Sequence, residues 1–191
     1  NRVFIYEDTK DLLGREVVFY SKRDKVTGET EQQIVFLYED TARNHYLTLK
    51  GKEVEGLNED KLEYYVGSKK KSVQVSSSVD VILNGVAYPE YTHADLKPDC
   101  GTITLIDNND DRIYDVILIE EYVFMMVESI DSEEGIIYGR YPAISVGSST
   151  QNEQYQIYME AGIEGELTYL SQGDMIAVQT SRNAKGSRVI T

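Results

Sequence analysis

Short runs of β-branched and aromatic residues recur along the sequence, and they limit the chain to a fold built from many short strands. The 191 residues include 15 Tyr, only 3 Pro and no Trp. β-Branched and aromatic side chains suit a pleated, half-buried surface. Many such runs, separated by turn residues at intervals of roughly 8–12 residues, are typical of sandwiches and small barrels. The runs that predict strands are Val3–Tyr6, Glu16–Tyr20, Ile34–Tyr38, Tyr46–Leu49, Val79–Leu83, Thr102–Ile106, Asp115–Ile119, Tyr122–Val127, Gly135–Tyr138, Tyr155–Met159 and Met175–Thr180.

Turn residues and softer stretches predict how these strands are grouped. Asn84-Gly85 predicts a two-residue hairpin turn, because both residues tolerate a positive φ angle. Lys69–Ser72 and the following serines 76–78 suggest the edge of a subdomain, and Ser145–Glu153 suggests an exposed loop. We therefore predict an all-β fold of two or three small barrel-like or sandwich subdomains with little helix. The predicted division is an N-terminal β subdomain, residues 1–78, and a β region, residues 79–191.

The charge balance excludes several classes of partner. The net charge is −14 and the sequence pI is near 4.5, so there is no excess of Lys or Arg to neutralise phosphates. The same balance argues against adsorption to anionic membranes. No apolar run approaches the ~18 residues that a membrane span needs. We expect neither nucleic-acid binding nor membrane insertion.

A nine-residue acidic run, Asp107–Asp115, lies between two strand-like runs and offers the clearest chemistry. It places oxygen-bearing side chains at its first, third, fifth and ninth positions, and the backbone carbonyl of Ile113 lies at the seventh. This spacing lets a short loop surround one hard cation, and Ca²⁺ prefers six to eight oxygen ligands. The other reading is a solvated turn in which Asn and Asp make local hydrogen bonds. The candidate metal ligands are Asp107, Asn109, Asp111, Ile113 and Asp115, and the candidate cofactor is Ca²⁺.

Catalytic patterns are missing from the sequence. His45 and His93 are the only histidines and belong to no ligand motif, and Cys100 is the only cysteine. Ser148 and Ser149 lack the G-x-S-x-G pattern of a nucleophile elbow, and no glycine-rich phosphate loop is present. We therefore predict a binding or structural protein and not an enzyme.

The middle of the chain resembles a known kind of module. Val81–Gly85, Leu96–Asp111 and Tyr114–Val116 together resemble a recurrent β-rich module of large secreted surface proteins of Gram-positive bacteria that carry S-layer homology domains. Leu12–Tyr20 and Leu170–Val178 are similar to flanking strands in the same proteins. The specific part of the resemblance is limited to about residues 79–119. The chain departs from that pattern at Asp110 and Arg112, where the module has small residues or Gly.

The resemblance implies a function, and two alternatives to it stay open. It implies a non-catalytic structural or interaction module of a bacterial cell-surface assembly, located outside the cell, with other envelope or appendage proteins and wall polymer as partners. The first alternative is a domain of a phage tail or virion appendage, and the second is a carbohydrate-binding module of a cell-wall hydrolase. The chain begins at Asn1 without an initiator Met, so we expect a piece of a longer protein.

Overall fold

Strands dominate the computed structural model, which describes residues 9–26, 29–133, 136–140, 154–158, 169–182 and 188–190. Within these residues, helix is limited to short 3-10 turns such as Thr9–Leu12 and Gly51–Glu53. The predicted all-β fold with little helix is therefore confirmed. In the same part of the chain, no helix is long and apolar enough to cross a membrane.

The predicted runs that the structure describes lie in strands, although several strands extend beyond the runs. Each predicted run that the structure describes, wholly or in part, overlaps a strand, whereas Val3–Tyr6 and the predicted loop Ser145–Glu153 lie outside the described residues. The strands are β1 Val17–Val26, β2 Glu29–Glu39, β3 His45–Lys50, β4 Val54–Asn58, β5 Lys61–Val66, β6 Lys69–Leu83, β7 Val86–Ala87, β8 Gly101–Asp107, β9 Tyr114–Asp131, β10 Ile136–Arg140, β11 Gln154–Tyr158, β12 Met175–Arg182 and β13 Arg188–Ile190.

The chain divides into two compact units, Asn1–Glu120 and Glu121–Thr191. The boundary predicted between residues 78 and 79 falls inside β6, because the lysines and serines that suggested a linker are strand residues. The lysines pair with β5 and expose their side chains, and serines 76–78 lie in an irregularity of β6. Residues 69–72 expose both faces of the strand although their backbone is paired with β5, so their polarity does not mark a linker.

In the first unit, β6 is the strand to which most others connect. It pairs with β5 and β7 in antiparallel fashion and with the first residues of β9 in parallel fashion. β4 pairs with β5, while β8 pairs with β3 and β9. A separate two-stranded ribbon is formed by β1 and β2. The acidic run therefore joins two strands that are each paired with a partner distant in sequence.

A large apolar cluster holds the first unit together, and its residues come from β3 to β6, from β8 and β9, and from the segment between β7 and β8. Leu62, Leu96, Ile103, Leu105 and Ile117 are fully buried in it. Burial of a large aliphatic side chain contributes about 1.5–3 kcal/mol relative to exposure. The strands on either side of the acidic run are thus fixed by packing that does not depend on the run itself.

Polar contacts tie the β1–β2 ribbon to β3. The Arg15 guanidinium lies 2.7 Å from a carboxylate oxygen of Glu39 and 5.2 Å from the centre of the Tyr46 ring. The Tyr46 hydroxyl donates to the other Glu39 oxygen. Buried Asn44 accepts from the Glu16 amide at 2.9 Å and donates to the Glu16 carbonyl at 2.9 Å. These contacts give the base of the ribbon a defined position within the first unit.

The second unit is built on the later residues of β9. Those residues pair with β10 and β12, and β11 and β13 extend the pairing outward. Met125, Val127 and Ile137 form a buried cluster, with Ile176 and Val178 packed against it. Gly139 lies against Met125, so that an added Cβ would meet the thioether at 1.9 Å.

Candidate metal site

The acidic run connects β8 to β9, and strand pairing fixes both of its ends. Asp107 is the last residue of β8, opposite His45 of β3, and Asp115 is the second residue of β9. Tyr114 lies opposite Val75 of β6. Because these pairings are long-range, the two ends of the loop are held by the sheet.

Three of the predicted ligands converge. One carboxylate oxygen from each of Asp107, Asp111 and Asp115 lies within 4.8 Å of the others. Asp107 is buried, with only 2% of its surface exposed, while Asp115 is half-buried and Asp111 is exposed. Like charges at this spacing repel one another, and a single hard cation between them would remove that repulsion.

The backbone of the loop is wrapped around the Asp107 carboxylate. One oxygen of Asp107 accepts hydrogen bonds from the amides of Asn109 at 3.2 Å and Asp110 at 2.8 Å. The other oxygen accepts from the amide of Arg112 at 2.8 Å. A buried carboxylate is costly unless it is hydrogen-bonded, and here three backbone donors stabilise it.

Two residues of the loop adopt the left-handed conformation that favours glycine. Asp110 has a φ of 65° and Arg112 a φ of 71°. These are the positions at which the sequence departs from the surface-protein pattern. The chain therefore makes the sharp turn without glycine, at a cost of about 1–2 kcal/mol for each such residue.

The remaining predicted ligands take part in the turn. The amide oxygen of Asn109 accepts from the Asp111 backbone at 3.0 Å, and an Asp111 oxygen accepts from the Ile113 amide at 2.8 Å. Coordination by Asn109 or by the Ile113 carbonyl stays a prediction. The Asn108 amide donates to Asp115 at 3.4 Å, and its side chain donates to the carbonyl of Gly14 at 3.3 Å. This last bond links the loop to the segment before β1.

The electrostatics of the cluster are unfavourable in the absence of a cation. Burial raises the pKa of the Asp115 carboxyl, and the negative charges of Asp111 and Asp107 raise it further, although a hydrogen bond from the Asn108 amide opposes them. A raised carboxyl pKa means that the folded protein resists ionisation at this position. A bound cation would supply the positive charge that the cluster lacks.

His45 is a neighbour of the site that sequence reasoning missed. Its Nε2 atom lies 2.7 Å from a carboxylate oxygen of Asp110. The two residues are brought together because β3 pairs with β8 in the register that places His45 opposite Asp107. No local pattern connects residues that are 65 positions apart, so only the pairing of the strands could have revealed this contact.

The fold and this loop define an all-β protein in which three carboxylates converge at one loop. Comparison with known proteins adds a partial similarity of another kind. No family model and no solved structure match the chain. The chain is 31% identical over 93 residues to an orotidine 5′-phosphate decarboxylase of Caldicellulosiruptor saccharolyticus, covering 49% of this chain and 29% of that protein. The corresponding protein of Caldicellulosiruptor bescii is 30% identical over 93 residues, with the same shares covered.

The similarity is too short to assign the family. The chain spans about 29% of the length of the curated relatives it matches. Those relatives are enzymes by name, whereas the sequence predicts a non-catalytic protein. That prediction stays a prediction.

Proposed function

We propose that this chain is a non-catalytic structural or interaction module of a bacterial cell-surface assembly, and that its acidic loop binds Ca²⁺. The observation that carries the cation part of the proposal is the convergence of Asp107, Asp111 and Asp115 within 4.8 Å. Carboxylates grouped in this way match the oxygen ligands that Ca²⁺ prefers. The location at the cell surface is supported by the resemblance of residues 79–119.

The cation would act on the loop through charge. Three carboxyl groups approach one another without a basic side chain paired to any of them among the described residues. Binding of Ca²⁺ would neutralise this charge and lower the pKa of Asp115, which burial and its neighbours raise in the free protein. The loop would become stiffer, because the cation links the end of β8 to the start of β9.

The distribution of polar groups supports a structural role. The buried polar residues of the described part are Asn44, Asn84 and Asp107, and each lies in a turn or at a strand end. Groups with shifted pKa values occur at several places in the first unit. Glu39 and Tyr46 share a hydrogen bond, Lys70 pairs with Glu63, and Tyr114 and Asp115 are neighbours at the acidic loop. Enzymes typically gather such groups at one site. The module would therefore act by presenting and spacing its neighbours.

A thermal melt tests the cation part of this proposal. The protein is melted in EDTA, in about 5 mM CaCl₂ and in about 5 mM MgCl₂, concentrations suited to weak extracellular sites. For a dissociation constant near 10⁻⁴ M, the gain in stability is about 2 kcal/mol, or roughly 5 °C in melting temperature. We expect this rise with Ca²⁺ and a smaller one with Mg²⁺.

Two variants that each lose one negative charge test whether the response to Ca²⁺ comes from the acidic loop. Asp115→Asn removes one charge from the cluster, so we expect the free energy of unfolding in EDTA to rise by up to about 1 kcal/mol, and the response to Ca²⁺ to be much weaker. Asp99→Asn removes a charge from an exposed residue elsewhere, and it should keep the full response. Equal responses in both variants would contradict the proposed site, as would a wild-type protein that does not respond.

The cell-surface part needs a separate test. Intact cells of the source organism are treated with a protease, and the parent protein is followed with an antibody raised against this chain. Loss of the antigen from intact cells would support exposure at the surface. Protection until the cells are lysed would contradict it.

A second candidate function follows from the comparisons. The partial similarity to two orotidine 5′-phosphate decarboxylases favours an enzyme that acts on that nucleotide. The test is direct, since loss of the carboxylate from orotidine 5′-phosphate changes the ultraviolet absorbance of the base. If the purified chain decarboxylates orotidine 5′-phosphate, the structural proposal is wrong. If no activity is found at high protein concentration, this second candidate function is excluded for the chain.

A further inference from the structure

An open cavity of about 480 Å³ lies beside the acidic loop in the first unit. Its volume falls within the ~300–1,000 Å³ that is usual for small-molecule sites. Buried Asp107 borders it, and the other residues that line it are His45, Val73, Gln74, Asp110, Arg112 and Tyr114. We propose that this cavity is a binding site for a neutral saccharide.

The cavity has an apolar wall formed by Val73 and Tyr114. Both side chains pack against the main core of the first unit. The Tyr114 hydroxyl can both donate and accept a hydrogen bond. An aromatic ring beside an aliphatic side chain offers the kind of surface on which the C–H face of a sugar ring packs.

Polar groups with unused hydrogen-bonding capacity surround this wall. The Arg112 guanidinium makes no hydrogen bond or ion pair with any residue that the structure describes, although it carries five donors. The Gln74 amide nitrogen donates to Asp60, which leaves the amide oxygen as an acceptor. Asp110 uses one oxygen for His45 and retains the other. The lining of the cavity therefore offers both donors and acceptors.

The negative charge of the residues around the cavity favours a neutral sugar over an anionic ligand. Asp107 and Asp110 line it, and Asp111 and Asp115 lie close to Asp107, whereas Arg112 is the one Lys or Arg among its lining residues. This excess of negative charge repels phosphate and carboxylate groups. Hydroxyl groups each donate and accept, so a polyhydroxylated ring satisfies both kinds of partner without adding charge.

The saccharide site adjoins the proposed cation site but uses other side chains. Gln74, Arg112 and Tyr114 are the proposed sugar contacts, and none of them is a proposed metal ligand. Bound Ca²⁺ would offset the negative charge of Asp107, Asp111 and Asp115, but a sugar without charge could bind in either condition. Failure of the thermal melt to respond to Ca²⁺ would therefore leave this inference standing.

The test is a titration of the intact chain followed by NMR. Glucose, galactose, mannose and N-acetylglucosamine are each added to about 50 mM, well above the ~1–10 mM dissociation constants expected for a small polar ligand. The titrations are run in EDTA and in CaCl₂, with inorganic phosphate as the anionic comparison. We expect saturable shifts for the resonances of Gln74, Arg112 and Tyr114 with at least one sugar.

Variants locate the binding. Arg112→Gln keeps the backbone hydrogen bond to Asp107 and removes the guanidinium, so we expect about 10-fold weaker binding, and Tyr114→Phe should weaken it about 3-fold. Arg43→Gln, an exposed arginine outside the cavity, should bind within about 2-fold of the wild type. Absence of saturable shifts with every sugar in both conditions would overturn the proposal. Binding of phosphate alone, or sugar binding that Arg112→Gln leaves unchanged, would do the same.

Discussion

Asp107 supplies the acceptors around which the acidic loop is organised. Its two carboxylate oxygens receive three backbone N–H groups, and its side chain is buried. Replacement by Ala would leave those donors without their acceptor. We expect Asp107→Ala to lower the free energy of unfolding by about 3 kcal/mol, the scale of lost hydrogen bonds to a buried charged group. Urea denaturation measures this change.

An exposed aspartate provides the comparison for that variant. Asp99→Ala removes the same charge from a residue that is exposed, and it should change stability by less than about 0.5 kcal/mol. If the two variants were equally stable, the loop would not be organised by Asp107.

Tyr46 makes the free energy of unfolding depend on pH, and this contribution can be measured separately. Burial and the hydrogen bond to Glu39 raise its pKa to about 12. The folded protein therefore holds the phenolic proton more tightly than the unfolded chain, whose tyrosine pKa is about 10. The resulting stability is fully present below pH ~10 and is lost as the pH rises through ~12.

Ultraviolet titration of the wild type and of Tyr46→Phe isolates this group. The difference between the two curves should show one tyrosine that titrates late, near the upper end of the range. Tyr122→Phe, which removes a tyrosine as exposed as Tyr46, is the control and should leave the late transition in place. A Tyr46 transition at the ordinary tyrosine pKa would contradict the hydrogen bond to Glu39.

Local spacing explains which parts of the candidate site could be predicted. The positions of Asp107, Asp111 and Asp115 are set by a nine-residue loop, so the sequence alone indicated that they would converge. The contact between His45 and Asp110 depends on the pairing of β3 with β8. That pairing depends on the packing of the whole unit, so no short sequence pattern predicts it.

At the scale of elements, the tight turns were the most predictable features. Asn84-Gly85 connects β6 to β7, and both residues have positive φ angles of 48° and 82°. The strands β4 and β5 were missed, because charged residues interrupt their apolar ones. β9 was expected as two runs separated by Glu120 and Glu121, yet it is continuous, since a strand can expose a charged side chain on its solvent face.

Gly51 lies where two elements approach most closely. It is buried in the 3-10 turn after β3, and an added Cβ would lie 1.9 Å from the carbonyl oxygen of Pro98. Backbone cannot move aside as a flexible side chain does. We expect Gly51→Ala to lower the free energy of unfolding by about 3 kcal/mol, the upper end for overpacking. Chemical denaturation or loss of soluble protein would report it.

Gly56 offers the matched control for this substitution. It lies in β4, and an added Cβ would meet nothing within 4 Å. Gly56→Ala should be neutral or more stable by up to about 1 kcal/mol, because Ala loses less backbone entropy in a strand. Equal tolerance of both substitutions would contradict the close approach of residue 51 to Pro98.

For the whole molecule, composition predicted the fold class more accurately than it predicted the division of the chain into units. Recurrent β-branched and aromatic runs were sufficient to predict an all-β protein, because each run reports its own local preference. The division at Glu120 is a property of which strands pair, and it could not be read from Lys69–Ser72. The fold determines the function even less, because proteins with similar β folds perform many different functions. The function must be inferred from the individual sites.

The net charge of −14 gives the molecule a general affinity for cations, and the acidic loop is where that affinity would become specific. Titration of CaCl₂ into the EDTA-treated and dialysed protein by calorimetry tests this claim most directly. We predict one saturable site with a dissociation constant of about 10⁻⁴–10⁻³ M, weaker binding of Mg²⁺, and loss of the site in Asp111→Asn but not in Asp99→Asn. Heats that equal those of dilution, or a site that survives in Asp111→Asn, would contradict the account.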